Sequence, residues 1–402
     1  MTPKIENQSL KKSAYRFIIL MGIVSLFGDV TYEGARSIIG PFLAQLGATA
    51  AVVGIIAGGG EFLGYVLRLL SGYLSDRTQK YWTLTIMGYG ALISIPILAF
   101  AGHWSAAALL IILERIGKGI RSPARDTILS YATSQTGRGM GFGLHEALDQ
   151  VGAIIGPFIF TLIFYMHGDY REGFSLLWIP ALLCVLILLL AKKQFPHPQD
   201  LEKSYEGQTS VTGTSFLKQR PVLLYLGFTF FSVLGLINFP ILAYHFKLQA
   251  EIPEGQIALL YAIAMGVDAL VALLIGKTYD LLGFRALIVV PLLTLPIPFI
   301  AFTNGFLLIV LTACLWGGVL GIHETIMRAA IADITPGRSR GIVYGVFNTL
   351  YGLSWFMGGA LAGVLYDIHI DYLQGFVVLA VIVSIVFLIL FMKNYQQKTE
   401  RN

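Results

Sequence analysis

The chain has 402 residues, 56% of them hydrophobic and 13% charged, with 28 Lys and Arg against 23 Asp and Glu for a net charge of +5. A soluble domain carries about 25% charged residues, so this composition excludes an ordinary soluble enzyme and indicates a chain that crosses a membrane repeatedly. The small excess of base follows the loops and gives no footprint for a nucleic-acid partner. Cys184 and Cys314 lie in separate apolar runs and read as core residues, not as a disulfide.

The opening segment "MTPKIENQSLKKSAYR" is polar, and the run after it is too long for a signal-peptide core, so no cleaved leader is expected. Twelve apolar spans follow, at about 16–46, 50–72, 82–101, 105–124, 139–165, 173–191, 221–246, 255–277, 284–303, 306–328, 341–366 and 372–392. Runs of about 20 residues match a hydrocarbon core of about 30 Å at helical rise. They lack the alternation of a barrel strand, so the expected fold class is an all-α integral membrane protein.

Charge marks spans one, two, four and five. Span one carries Asp29, Glu33 and Arg36 on one face with Tyr32 alongside, and span two carries Glu61 and Arg68, seven apart. Span four ends in "LERIGKGIRSPARD", where Glu114, Lys118, Arg121 and Arg125 fall in a stripe of about 60° at 100° per residue, with Arg115 beside it. Glu114 and Arg115 are deep in the span, whereas Arg121, Arg125 and Asp126 approach the surface. Span five places His145 and Asp149 on one face, with Glu146 offset. A charge near mid-bilayer costs at least ~2.5 kcal/mol when it faces lipid. These residues should therefore face the bundle, largely paired, and form a substrate-binding or proton-coupling site. Among the carboxylates, Asp29, Glu114 and Asp149, with His145, are the expected coupling residues because they sit deepest.

Residues 192–220 form the longest polar segment and separate an N-terminal six-helix bundle (1–191) from a C-terminal one (221–402) as a cytoplasmic linker. Lys and Arg concentrate on the side of the termini, so both termini are expected in the cytoplasm. The second bundle is less charged. Span seven has Asn238, Pro240, Tyr244 and His245, and span eleven has Tyr344, Asn348, Tyr351 and Trp355 on one stripe. Asn238, Asn348, Tyr351 and Trp355 are candidate substrate contacts, and Asp268 and Glu324 read as structural acids.

The halves repeat. "GYLSD" at Gly72 to Asp76 recurs as "GKTYD" at Gly276 to Asp280, and "RGMGFG" at Arg138 recurs as "RGIVYG" at Arg340. A duplicated six-helix unit places the binding site near the midplane. "GYLSDRTQKY", with Gly72, Asp76, Arg77 and Lys80, resembles the loop motif Gly-x-x-x-Asp-Arg-x-Gly-Arg-Arg of the major facilitator superfamily. The second copy keeps Gly276, Asp280, Gly283 and Arg285. The span-four motif Arg-x-x-Gln-Gly is matched at Arg115 and Gly119, with Lys118 for Gln. The span-five antiporter spacing is matched at Gly143, Gly152, Gly156 and Pro157, but the trailing glycines are Phe160 and Thr161 here.

The resemblance covers essentially the whole chain. It implies two pseudo-symmetric six-helix bundles, usually monomeric, that move a small-molecule substrate by alternating access. It also implies a loop latch in which Asp76 faces the start of span eleven near Gly341. Gly72, Asp76, Arg77, Lys80, Arg121, Arg125, Asp126, Gly276, Asp280 and Arg285 would form the gates, and Gly143, Gly152, Gly156 and Pro157 would serve helix packing.

The expected function is secondary active transport of a small amphipathic or charged solute, as proton-coupled export from a bacterial cytoplasmic (inner) membrane. A proton-coupled importer of an organic anion or metabolite is the alternative, motivated by Arg36, Arg68, Arg115, Lys118 and Arg121. A membrane enzyme or receptor is a remote one. There is no G-x-x-x-x-G-K-[ST] loop for ATP, the seven histidines are scattered, and neither cofactor nor metal is expected.

Overall fold

The computed structural model describes residues 3–136, 138–201, 219–303, 305–334 and 340–399, and among them every regular element is a helix. The first six spans are α1 (Pro3–Gln45), α2 (Ala50–Thr78), the pair α3 (Tyr81–Gly90) and α4 (Ser94–Ile97), α5 (Trp104–Thr136), α6 (Arg138–Tyr165), and the pair α7 (Tyr170–Leu176) and α8 (Trp178–Gln194). The second six are the pair α9 (Arg220–Leu234) and α10 (Phe239–Leu248), α11 (Glu254–Leu282), the pair α12 (Val289–Thr294) and α13 (Ile297–Ile300), α14 (Phe306–Ile334), α15 (Arg340–Ile368) and α16 (Ile370–Thr399). Most of the expected linker lies outside the described residues.

Ten stretches among the described residues are long and apolar enough to cross a membrane. α5 and α15 are not among them; the first 18 residues of α5 already hold Glu114, Arg115, Lys118 and Arg121. Apolar side chains at helical spacing stand exposed along α8 (Leu182, Leu186, Leu189) and α16 (Leu379, Ile382, Val386, Ile389). Contiguous exposed stripes of this kind belong against lipid.

Spans three, six, seven and nine, expected as single helices, are each interrupted. Span seven is the clearest case. α9 stops at Leu234, and Pro240 stands in the first turn of α10. Proline fits a first turn but has no N–H to extend a helix backwards. The interruption frees backbone carbonyls inside an apolar medium, where each must find a donor. The indole of Trp316 on α14 supplies one, donating to the Ile237 carbonyl at 2.9 Å. In span nine, Pro291, Pro296 and Pro298 leave only short helices joined by turns. Span four departs the other way: its helix runs through the whole charged stretch and on to Thr136.

The chain forms two compact units, Met1–Ser37 with Leu63–Gln208, and Ile38–Phe62 with Thr209–Asn402. The first unit has a core of Phe17, Trp82, Tyr89, Leu92 and Leu188, and the Trp82 indole donates to the Phe195 carbonyl at 3.1 Å. In the second, Phe239 packs edge-on against Tyr261 (4.6 Å between centroids) and Trp316 (5.3 Å). The duplication is visible in matching helix crossings. A Cβ at Gly119 of α5 would lie 2.8 Å from the Gly64 carbonyl of α2, and one at Gly321 of α14 would lie 2.6 Å from the Asp268 carbonyl of α11.

Candidate functional site

The charges of the first unit gather where α1, α5 and α6 meet. Close approach brings α6 against α1: a Cβ at Gly156 would lie 2.5 Å from the Val30 carbonyl, and Gly152 packs on the Leu26 carbonyl in the same way. Gly143 is outside the residues whose surroundings are described.

Glu114 is the buried centre, with its side chain 1% exposed. Its carboxylate lies 3.4 Å from Nε of Arg115 and 3.6 Å from Nη1 of Arg121. Arg121 also lies 4.6 Å over the ring of Tyr89 and reaches the Gly88 carbonyl at 3.5 Å. Arg115 donates from Nη1 to the Tyr32 hydroxyl and stacks over the same ring at 4.0 Å. The Lys118 ammonium lies 4.0 Å from that ring's centroid, and the Arg36 guanidinium 5.7 Å. Arg36 pairs with Glu33 at 3.5 Å, one turn back on α1.

Two further groupings extend this network. Arg125 bonds Asp126 at 2.9 Å and donates to the Ser25 hydroxyl of α1 at 3.1 Å. On α6, His145 Nδ1 is 3.8 Å from the Asp149 carboxylate. His145 is buried and Glu146 exposed. Although no metal cluster was expected, α6 sets ligand atoms of His145, Glu146 and Asp149 within 4.8 Å of one another. All three come from one helix turn, and this grouping contains no ligand from a second element. Asp29 is half-buried on α1, one turn before Glu33.

Not every candidate joins the cluster. Arg68 lies over Tyr65 at 4.8 Å, and Glu61 is half-buried in the second unit. Arg77, Lys80 and Arg285 are exposed. A Cβ at Gly72 would meet the Pro123 ring at 3.7 Å and one at Gly276 would meet Thr325 at 3.8 Å, both ordinary contacts. The side chains of Asp76 and Asp280 lie outside the described residues.

In the second unit, Tyr351 stacks on Trp355 at 6.1 Å and 12°. His323, the positional counterpart of Arg121, meets Tyr351 edge-on and lies 3.4 Å from the Ser232 hydroxyl. Asn348 is half-buried on the same helix. Asn238 is buried at the α9–α10 interruption, and neither of its amide atoms has a hydrogen-bond partner among the described residues.

Sequence reasoning missed one site altogether, at the α1–α2 turn. The carboxylate of Asp367, near the end of α15, accepts the backbone N–H of Ala50 at 3.1 Å and of Ala51 at 2.8 Å. It caps the N-terminus of α2 from 317 residues away in sequence. Glycine permits the seam beside it. A Cβ at Gly58 would lie 2.8 Å from Phe356 Cα and one at Gly363 would lie 2.8 Å from Ala51 Cα; Gly40 and Gly54 press on the Pro240 and Gly359 carbonyls. No local sequence pattern signals a cap supplied from another helix.

The family model described as "Major Facilitator Superfamily" matches residues 20–251 and 236–402. A Mycobacterium tuberculosis protein described as uncharacterised is 41% identical over 368 residues, covering 90% of this chain and 89% of its own length. A multidrug resistance protein of Aeromonas hydrophila is 25% identical over 345 residues, covering 81% of each. Among solved structures, a mutant of the nucleoside transporter NupG superposes with a TM-score of 0.75 at 15% identity, over 94% of this chain and 99% of that one.

Proposed function

This chain belongs to the major facilitator superfamily, and from that premise we propose that it is a proton-coupled exporter of a small amphipathic or charged solute. It works as a monomer in a bacterial cytoplasmic membrane, both termini inside, and access to its site alternates between the two membrane faces.

The observation that carries this reading is the buried ionic cluster: Glu114 between Arg115 and Arg121, joined through Tyr32 to Arg36 and Lys118. Ionisable groups inside a membrane are expensive, and their usual role is on a substrate or proton path. Asp149 and His145 on α6 are the proton-handling pair in this reading. Solute binding shifts the pairing of the cations, and a released carboxylate takes up a proton. The likeness to a multidrug resistance protein favours export. In the second unit, the Tyr351–Trp355 stack offers an apolar wall for the uncharged part of the solute.

The Asp367 cap is the lock of the membrane face opposite the termini. Two N–H groups at a helix N-terminus favour a carboxylate electrostatically as well as by hydrogen bonding. The glycine seam beside it lets the backbones close. Opening that face requires the cap to break.

A second reading, uptake of an organic anion with protons, is favoured by the three cations on Tyr32. An Asp149→Asn, His145→Ala double variant separates coupling from scaffold. In proteoliposomes it should keep solute exchange and lose proton-driven accumulation. Unchanged transport under every imposed ion gradient would remove these two residues from the mechanism.

A further inference from the structure

We propose that Thr229, Ser232 and His323, beside the Tyr351–Trp355 stack, form a subsite for an uncharged planar group of the solute that carries a hydrogen-bond donor and acceptor, such as a carboxamide, a lactam or a heteroaromatic ring. This rests on the reading of the chain as a transporter and deepens it by naming the chemistry of the solute's uncharged part.

Three polar contacts hold α9 and α10 beside α14 in the second unit. The Tyr225 hydroxyl donates to the Met327 carbonyl at 2.6 Å, the Ser232 hydroxyl lies 3.4 Å from Nε2 of His323, and the Trp316 indole donates to the Ile237 carbonyl at 2.9 Å. At 100° per residue, Tyr225, Thr229 and Ser232 fall in a stripe of about 60°. Thr229 therefore faces α14 between the first two contacts.

Two polar atoms of this strip have no hydrogen-bond partner among the described residues, Oγ1 of Thr229 and Nδ1 of His323. The two residues are 0% and 1% exposed. A helical threonine has a ready acceptor in the carbonyl four residues back. Thr31, Thr161, Thr294 and Thr312 all donate to theirs, and Thr229 does not. His323 spends Nε2 on Ser232 and leaves Nδ1 over. The serine hydroxyl turns to suit either imidazole tautomer, so Nδ1 offers a donor in one and an acceptor in the other. An unpaired buried polar atom is costly. Two on neighbouring turns mark a place where a partner arrives.

The surroundings indicate what that partner is. Arg121, the positional counterpart of His323, is occupied by Glu114. Here two hydroxyls and an imidazole offer donors and acceptors without a fixed charge, which suits a neutral group. Tyr351 and Trp355 lie 12° from parallel, and the His323 ring stands at 85° to Tyr351 with 6.1 Å between centroids. A flat group laid on that aromatic wall turns its edge to the imidazole. Asn348, three residues before Tyr351 on α15, is half-buried, so the wall is reachable from that end. Sites built to hydrogen-bond a ligand discriminate against analogues without the polar group, because their own buried atoms then stay unpaired.

The test measures binding of benzamide, propionamide and ethylbenzene to the purified full-length protein, by saturation-transfer NMR and thermal shift. Benzamide has the ring and the amide, and each of the others has only one part. Benzamide should bind at least about tenfold more tightly than either, the value of one neutral hydrogen bond or more. Thr229→Val keeps the shape and removes the hydroxyl. It should weaken benzamide by about tenfold and leave the ligand-free melting temperature unchanged or higher. Thr229→Ser should bind like the wild type, and His323→Phe should lose as much as Thr229→Val. If these atoms only hold a structural water, Thr229→Val melts lower and binds benzamide like the wild type, which would overturn the proposal. Equal binding of benzamide and ethylbenzene, or no benzamide binding at all, would overturn it too. Solute transport by reconstituted protein without any preference for benzamide would keep the transporter reading and sink the subsite. Benzamide binding lost in Thr229→Val, with no solute movement under any gradient, would keep the subsite and sink the transporter reading.

Discussion

Replacing Asp367 by alanine removes both acceptors from the N-terminus of α2, where Ala50 and Ala51 donate at 3.1 and 2.8 Å. Deleting an N-cap acceptor typically costs ~0.5–2 kcal/mol. Asp367 is exposed, so water takes over part of its role and the loss belongs toward the lower end, about 1 kcal/mol. If that energy holds the α1–α2 turn against α15 in only one access state, the closed-to-open ratio falls roughly fivefold. The assay is pulsed electron paramagnetic resonance with nitroxides at two exposed positions, Gln45 and His369, in a background with Cys184 and Cys314 replaced by serine. The wild type should give one short distance. Asp367→Ala should add a longer population, and Asp367→Asn, which keeps a carbonyl acceptor but no charge, should fall between them. Identical distributions in all three proteins would refute the lock.

Other consequences follow from the packing and the charge cluster. Glu114→Gln should remove the carboxylate that Arg115 and Arg121 share, costing about 3–5 kcal/mol as expected for a broken buried pair. A drop in melting temperature together with loss of transport would agree, and an unchanged melting curve would not. Trp316→Phe should leave the Ile237 carbonyl without its donor, costing about 1–3 kcal/mol, visible as a lower melting temperature with little change in substrate affinity. Gly156→Val should drive side-chain atoms into the Val30 carbonyl and destabilise the α1–α6 contact by about 1–3 kcal/mol, as overpacking does. Wild-type stability and activity in that variant would contradict the close approach.

The span count, the helical class and the burial of the α5 charges were readable from the sequence, because they depend on run length and helical phase alone. Glu114, Arg115 and Lys118 had to turn inward once lipid was excluded as their solvent. The interruption at Gly235 to Asn238 was less readable. Pro240 was visible, but an apolar run with one proline can equally be a kinked helix. Tyr32 was visible as a neighbour of the charges on α1, not as their common platform. That role depends on how α1 crosses α5, which no residue spacing within either helix specifies. Asp367 was illegible for the same reason. Its partners are backbone N–H groups of a distant turn, and backbone donors leave no mark in a sequence.

The central claim is proton-coupled export, and proton flux measured during solute movement tests it most directly. Protein is reconstituted into vesicles carrying an internal pH dye, and outward solute gradients are imposed one compound at a time. The account predicts that protons move opposite to a transported solute, and that the proton flux vanishes in the Asp149→Asn, His145→Ala double variant while solute exchange remains. Protons moving in the same direction as the solute, or solute movement with no proton flux, would contradict it.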